Sequence, residues 1–282
     1  MTGSPAPITL SVVIPVLDEA ALILRCLERL VDQEAISEII VVDNGSTDGT
    51  DAIVREYATA HPKIELIYEE TRGLIPARNA GIAKARGDFI VRIDADTFVE
   101  PHWGATIRDY ATAHPDVAAT TGIFTYHDSP VSFFLNIGVW AKLKLGMFGG
   151  PVGNMHGANM AIRRTAWDEV EDDTTVRTDI HEDLDLALCL SMKGLRIQQL
   201  PDQRVRISAR RRRTNPRDFW KYQLRGLNAI ANRGYPILPV TRVFAGFAWL
   251  GHTLQWPIYR LWDFDRRRFT LRGSPERLSP VD

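Results

Sequence analysis

Two cysteines, Cys26 and Cys189, are all the thiol chemistry this 282-residue chain carries. Both fall in helical apolar patterns, which predicts buried thiols rather than a disulfide or metal site and suits a reducing cytoplasm. Net charge is also nearly absent: 34 basic against 35 acidic residues leave −1, so no global field points to nucleic acid. No apolar run reaches the length of a membrane-spanning helix. Residues 1–7 lack the basic and apolar regions of a signal peptide. Two phosphate-binding fingerprints are missing as well. A dinucleotide-binding unit wants Gly-x-Gly-x-x-Gly after its first strand, and a P-loop wants Gly-x-x-x-x-Gly-Lys-Ser/Thr. The junction here reads Pro15-Val16-Leu17-Asp18-Glu19, which argues against an NAD enzyme and a P-loop NTPase. There is no internal repeat.

What remains is an ordinary globular composition, 45% apolar and 24% charged, enough to bury a substantial core. Its organising stretch is Asp94-Ala95-Asp96, at the end of the apolar run 87–93. In a strand, residues i and i+2 share a side, so both carboxylates reach one point. Two hard oxygen ligands held together suit Mg²⁺ or Mn²⁺, above all an ion that also binds a diphosphate. A solvated strand end with an Asx turn is the bland alternative.

The surrounding pattern decides between them. Residues 10–16 read as a buried strand, followed by a helix opening at Glu19 with apolar positions Ile23, Leu27 and Leu30. Strands are expected at 38–43 and 64–69, with helices over 51–60 and 76–86 between them. The strand ending at Asp94 is the fourth. This alternation predicts an α/β fold with a mostly parallel sheet covered on both faces. Ligands gather at the carboxyl ends of such strands, where Asp43, Asp96 and the 15–19 junction all lie. Three strand ends thus present acids to one crevice.

At this point a family resemblance emerges. Residues 13–19, then Val42-Asp43-Asn44-Gly45-Ser46-Thr47-Asp48-Gly49-Thr50, then 77–88, then Asp94-Ala95-Asp96 resemble the family 2 glycosyltransferases with the GT-A fold. The match continues in Gly157-Ala158-Asn159-Met160 and in His181-Glu182-Asp183-Leu184, and covers roughly residues 11–213. Leu17 stands where the family often has Tyr, and Asn44 where it often has Asp.

The resemblance implies roles. Pro15, Leu17 and Glu19 would line the nucleotide pocket, and Asp43 would accept a hydrogen bond from the base. Arg72 and the Arg78–Asn79 pair would border base and ribose, with Asp48 capping the next helix. Asp94 and Ala95 would contact the donor, Asp94 through its ribose or a metal-bound water. Asp96 would ligate the divalent cation, Mg²⁺ or Mn²⁺, which stabilises the diphosphate leaving group. Asp183 would deprotonate the acceptor hydroxyl, with Glu182 beside it. One base and no covalent intermediate imply a single displacement with inversion. Arg210 and Arg211, in Ser208-Ala209-Arg210-Arg211, would face the site, where guanidinium forks suit phosphate oxygens. The donor would be an NDP-sugar, UDP before GDP by family frequency.

Other segments stay open between two readings. Residues 131–148 fit a helix with a wide apolar face, packed against the sheet or serving as an acceptor-side or membrane-surface helix. Residues 157–162 are expected to be a strand shaping the donor pocket. The aromatic stretch 240–262 fits either a packed helical element or an interfacial membrane helix. The expected division is a glycosyltransferase domain over 8–213 and a helical segment over 214–270, with disordered ends at 1–7 and 271–282. The acceptor would be a sugar or a polyprenyl or other lipid phosphate, with peripheral membrane contact through the C-terminal segment. The expected site of action is the cytoplasm or the inner face of the cell membrane. A sugar-1-phosphate nucleotidyltransferase shares the sheet and acidic site, but lacks support here because no glycine-rich loop with Arg and Lys follows the first strand. A non-catalytic scaffold would be expected to have lost Asp96 or Asp183, and both are present.

Overall fold

The computed structural model describes residues 8–271. The expected disordered end 1–7, and the expected tail beyond 271, lie outside the described residues. The chain opens with β1 (Leu10–Val16), α1 (Ile23–Leu27), β2 (Ile36–Asp43), α2 (Thr50–Ala58), β3 (Ile64–Tyr68), α3 (Leu74–Lys84) and β4 (Phe89–Arg92). It continues with β5 (Phe98–Val99), α4 (Trp103–Ala113), β6 (Val117–Tyr126), α5 (Ser132–Lys144), β7 (Gly150–Pro151), β8 (Met160–Arg163) and α6 (Arg164–Val170). Then come α7 (Glu182–Met192), β9 (Arg196–Ile207), α8 (Pro216–Asn232), α9 (Pro239–Arg260) and a short hairpin, β10 (Trp262–Asp263) with β11 (Arg268–Phe269).

β3, β2, β1 and β4 pair in parallel, in that order. The apolar runs of β1, β2 and β4 are buried on both faces, as crossover helices require, whereas β3 at the edge is half-buried. β8 then pairs antiparallel with both β4 and β6, and β6 pairs parallel with β9. The sheet is therefore mixed on its far side.

Side-chain alternation splits the core between the two faces. Val12, Ile14 and Val16 of β1 pack with Leu27, Leu30 and Trp103, under α1, α2 and α4. Val13, Ile40 and Val42 pack with Ala77, Ile82, Leu186 and Leu190, under α3, α6 and α7. Cys26 and Cys189 are free and buried, and burial pushes both thiols up, Cys189 to about 11. Such thiols are inert.

Three local expectations need correction. The 157–162 segment is not one strand: Gly157–Asn159 form a 3₁₀ turn and the strand begins at Met160. The helix opening at Glu19 is mostly turns, with a regular core of only five residues. The packed reading of 131–148 fails outright. Asn136 alone is buried on α5, held by Tyr126 through its main-chain N–H and carbonyl. Phe133, Phe134, Ile137, Trp140, Leu145 and Met147 are exposed. Apolar spacing announces a face but not what covers it.

The fit of α3 on the sheet hangs on Gly81. A Cβ there would stand 2.3 Å from Val13 Cγ1 and 2.9 Å from Val42 Cγ2. Both are fully buried β-branched side chains with nowhere to turn. Gly81→Ala is therefore expected to destabilise by about 1–3 kcal/mol despite its better helix propensity; denaturant unfolding showing equal or greater stability would contradict this packing.

Candidate functional site

At the carboxyl ends of β1 and β4 lies an open cleft of about 1140 Å³. Pro15, Leu17, Glu19, Asp94, Ala95, Asp96, Glu182, Asp183, Arg210 and Arg211 all line it. Asp43, Arg72, Arg78 and Asn79 are not among the lining residues. Residues from Thr214 to Gln255 supply one wall, so α8 and α9 help to build the site. α8 is fixed there by Asn215, whose side chain caps its first turn, and by the carbonyl of Arg225, which accepts from His181 N–H at 3.3 Å.

The loop after β2 is knit to the one after β1. Asp18, at a left-handed φ of 53°, accepts from Thr47 N–H at 2.7 Å, and Thr50 Oγ1 accepts from Glu19 N–H at 2.8 Å. Asp48 accepts from the N–H and hydroxyl of Thr50, the first residue of α2, and from Ala20 N–H, so it ties the start of α2 to the neighbouring loop. Asn44 does what an aspartate could not. Its amide donates to the carbonyls of Glu69 and Thr71, each at 2.8 Å, while its oxygen accepts from Gly73 N–H at 2.7 Å. Arg72 closes the circle by donating to the carbonyls of Asn44 and Gly45. Asp43 is 4% exposed; one oxygen accepts from Ser46 N–H at 3.2 Å, and the other has no protein partner. A buried acceptor left open is costly unless a ligand donates to it.

Arg92 organises the floor of the cleft. It is buried, donating from Nη2 to Asp94 Oδ1 at 2.7 Å and from Nη1 to Glu182 Oε1 at 2.9 Å. Glu182 Oε2 also meets Arg78 Nη1 at 3.4 Å. Arg78 is 1% exposed, forks onto Asn79 Oδ1 and lies over the Trp167 ring. Burial raises the Glu182 pKa, against the pull of Arg92 and Arg78. This network joins the end of β4 to the start of α7. Asp183 follows Glu182 and is aimed by two main-chain donors, Gly157 N–H to Oδ2 at 2.9 Å and Leu184 N–H to Oδ1 at 2.8 Å. A Cβ at Gly157 would fall 1.8 Å from Arg92 Nη1, so a larger residue would have to displace that buried guanidinium. The 157–159 turn is fixed from behind by Asn159, which accepts from Trp103 Nε1 at 2.9 Å and donates to the Gln203 carbonyl at 2.8 Å.

On the opposite side Arg210 bridges two carboxylates. Its guanidinium grips Glu19 through both terminal nitrogens and reaches Asp96 Oδ2 with Nε at 3.0 Å. Burial lowers its pKa, but the charges of Asp96 and Glu19 more than restore it. Burial pushes Asp96 up to about 7, with Arg210 pulling the other way. Asp128 presents Ser208-Ala209-Arg210 to the cleft, accepting from Ser208 Oγ at 2.5 Å and Ala209 N–H at 2.7 Å. Arg211 lies over Tyr222 and Arg212 over Tyr126, so aromatic faces hold both guanidiniums.

The residue set fits a divalent cation in one specific way. Among the described residues no group of three or more His, Cys, Asp or Glu is placed to hold an ion. Asp94 and Asp96 are hard donors in one cleft. An ion there would take these two carboxylates at most and complete its shell with phosphate and water oxygens, as Mg²⁺ commonly does. Sequence reasoning missed Arg92 and Asp128. Arg92 had a signal: a charge inside an apolar strand, two residues before Asp94 and thus on its side. Asp128 had none, since its partners stand 80 residues away.

Comparison with known proteins gives the family and the fold. The sequence profile of glycosyl transferase family 2 matches residues 11–170, more than half of the chain. Glycosyltransferase AglE of Haloferax volcanii is 39% identical over 97 residues, which are 33% of this chain and 32% of that protein. The match thus spans about a third of that relative. Among solved structures, the mannosyltransferase PcManGT from Pyrobaculum calidifontis, in complex with GDP-Man and Mn²⁺, superposes with a TM-score of 0.62 at 23% identity. It covers 91% of this chain and 75% of its own. S. aureus TarS 1–349 in complex with UDP-GlcNAc gives 0.58 at 18% identity, covering 88% and 73%. These two likenesses bear on the fold, and the profile on the family. The chain belongs to glycosyl transferase family 2 and has the GT-A fold.

Proposed function

We propose that the enzyme transfers a sugar from a nucleoside-diphosphate donor to an acceptor oxygen by a single, inverting displacement, in the synthesis of an envelope glycan or glycolipid. The observation that carries this reading is one cleft in which Asp94 and Asp96 at the end of β4 share the space with Asp183 at the start of α7. The open oxygen of Asp43 suits an N–H of the base. Uracil and guanine both offer one, and solved relatives in fold carry UDP-GlcNAc or GDP-Man. Asp94 and Asp96 would hold Mg²⁺ or Mn²⁺, which when bound offsets the charge growing on the departing diphosphate. Arg210, now neutralised by Glu19 and Asp96, would exchange part of that contact for phosphate oxygens.

In the transfer, the acceptor O–H gives its proton to Asp183 while its oxygen bonds to the anomeric carbon. The carbon–oxygen bond to the diphosphate breaks on the opposite face, and the nucleoside diphosphate leaves with that electron pair. The Gly157 and Leu184 N–H groups keep the Asp183 carboxylate turned toward the acceptor. A phosphate acceptor would already be ionised and would need no base. A sugar hydroxyl therefore fits Asp183, whereas a lipid phosphate fits the Arg211–Arg213 side of the cleft.

Asp183→Asn is expected to leave nucleotide binding within about twofold and to cut transfer to a hydroxyl acceptor by on the order of 10²–10⁴-fold. Near-normal turnover would remove Asp183 as the base. Asp96→Asn is expected to abolish the gain in nucleotide affinity that Mn²⁺ confers. If calorimetry finds that gain undiminished, the cation is held elsewhere.

A further inference from the structure

The outer face of α9 has no partner among the described residues, yet it is apolar from end to end. Val243, Phe244, Phe247, Leu250, Leu254 and Ile258 are all exposed, Phe244 at 68% and Leu254 at 71%. Their steps of one, three and four residues place them within roughly a third of the helix circumference. The inner face is pinned to the protein: Trp249 Nε1 donates to the Pro216 carbonyl, Trp256 Nε1 to that of Arg213, and the His252 ring bonds that of Thr214. The helix cannot rotate to hide its stripe. α5 repeats the pattern with Phe133, Phe134, Ile137 and Trp140. The segment leading into α5 is tied to the end of α9 and the hairpin after it: Ser129 Oγ lies 2.7 Å from Tyr259 OH, and Trp262 Nε1 donates to the Asp128 carbonyl.

Charge says what covers these faces. The chain has no Asp or Glu between 219 and 262, nor between 129 and 167. Lys142 and Lys144 are exposed on α5, Arg260 on α9, and Arg266 to Arg268 in the hairpin that follows. Apolar stripes flanked mostly by cations, with Asp265 the exposed acid of the hairpin and Trp140 on the α5 stripe, match the interface of an anionic bilayer. A second copy of this chain would oppose cations to cations. No described helix is long and apolar enough to cross a membrane, so α9 would lie in the plane of the interface. Phe247 belongs both to the stripe and to the wall of the cleft, so the surface leads into the site.

We infer that α9 and α5 form a docking surface for an anionic lipid bilayer, from which the cleft receives an acceptor carried on a lipid. The acceptor clause rests on the glycosyl-transfer reading above, whereas the docking does not. The test is sedimentation with vesicles of phosphatidylglycerol and phosphatidylcholine in equal parts, against pure phosphatidylcholine, with calorimetric UDP and GDP binding measured in parallel. The protein should pellet with the anionic vesicles and on the order of tenfold less with the neutral ones or at raised salt. Phe244→Glu with Leu254→Glu should cut pelleting by on the order of tenfold or more while melting temperature and nucleotide binding stay unchanged. Val176→Glu, at an exposed apolar residue elsewhere, should pellet like the wild type. Wild-type protein left in the supernatant, or a double variant that pellets as well as wild type, would overturn the docking. So would a lipid-free dimer in the ultracentrifuge that the double variant dissociates, which would assign the stripe to a second copy. Protein that pellets as expected but binds neither nucleotide would contradict the donor reading and leave the docking standing.

Discussion

The ion network centred on Arg92 is the constraint on which the site depends. An arginine buried in a sheet must have its charge met, because an isolated one is far too costly to desolvate. Here Asp94, two residues past the end of β4, and Glu182 on α7 meet it, and Arg78 on α3 shares Glu182. Three elements from distant parts of the chain are thereby locked at one point. Breaking a buried pair of this kind by removing one partner typically costs about 3–5 kcal/mol. The network fixes Asp94, the first carboxylate of the pair, and sets the start of the helix that carries Asp183. Under the proposed transfer, donor-side and acceptor-side chemistry would share one brace.

The cleft above that brace is nearly balanced in charge. Glu19 and Asp96 are met by Arg210, which Asp128 presents through the loop after β9. Such a balance stabilises the protein without ligand, and it also suits an anionic donor that brings a cation. As Arg210 turned to phosphate, Glu19 and Asp96 would find their counter-charge in the cation, and neither charge would be left buried alone. The same logic explains why α8 and α9 belong to the site. They hold Tyr222 and Gln255, against which Arg211 and Arg212 rest.

Much of this could be read before any coordinates. The apolar runs of β1, β2 and β4 leave little choice but a buried parallel sheet, and Asp94-Ala95-Asp96 at the end of one of them marks the crevice. The start of α7 was legible from the acids at its first turn and Gly194 beyond its last. What stayed hidden depended on distance or on burial. Asp128 looks like any loop aspartate until Ser208 arrives from 80 residues away. Arg78 and Arg72 read as cleft residues by resemblance, yet they brace loops and helices outside the lining. α5 misled for a different reason: helical apolar spacing says that a face must be covered, not that the protein itself covers it. Residue 44 shows how small a change carries meaning, because only an amide there can both donate to two carbonyls and accept from Gly73.

The central claim is that the cleft is shaped for a nucleoside diphosphate bound together with a divalent cation. Calorimetric titration of the wild-type protein with UDP and with GDP, each with and without Mn²⁺, tests it most directly. One nucleotide should bind, and Mn²⁺ should tighten it by on the order of tenfold or more, since Asp94 and Asp96 would hold a cation that offsets the charge of its phosphates. Heat of binding for neither nucleotide from folded protein, or equal affinity with and without Mn²⁺, would contradict the account.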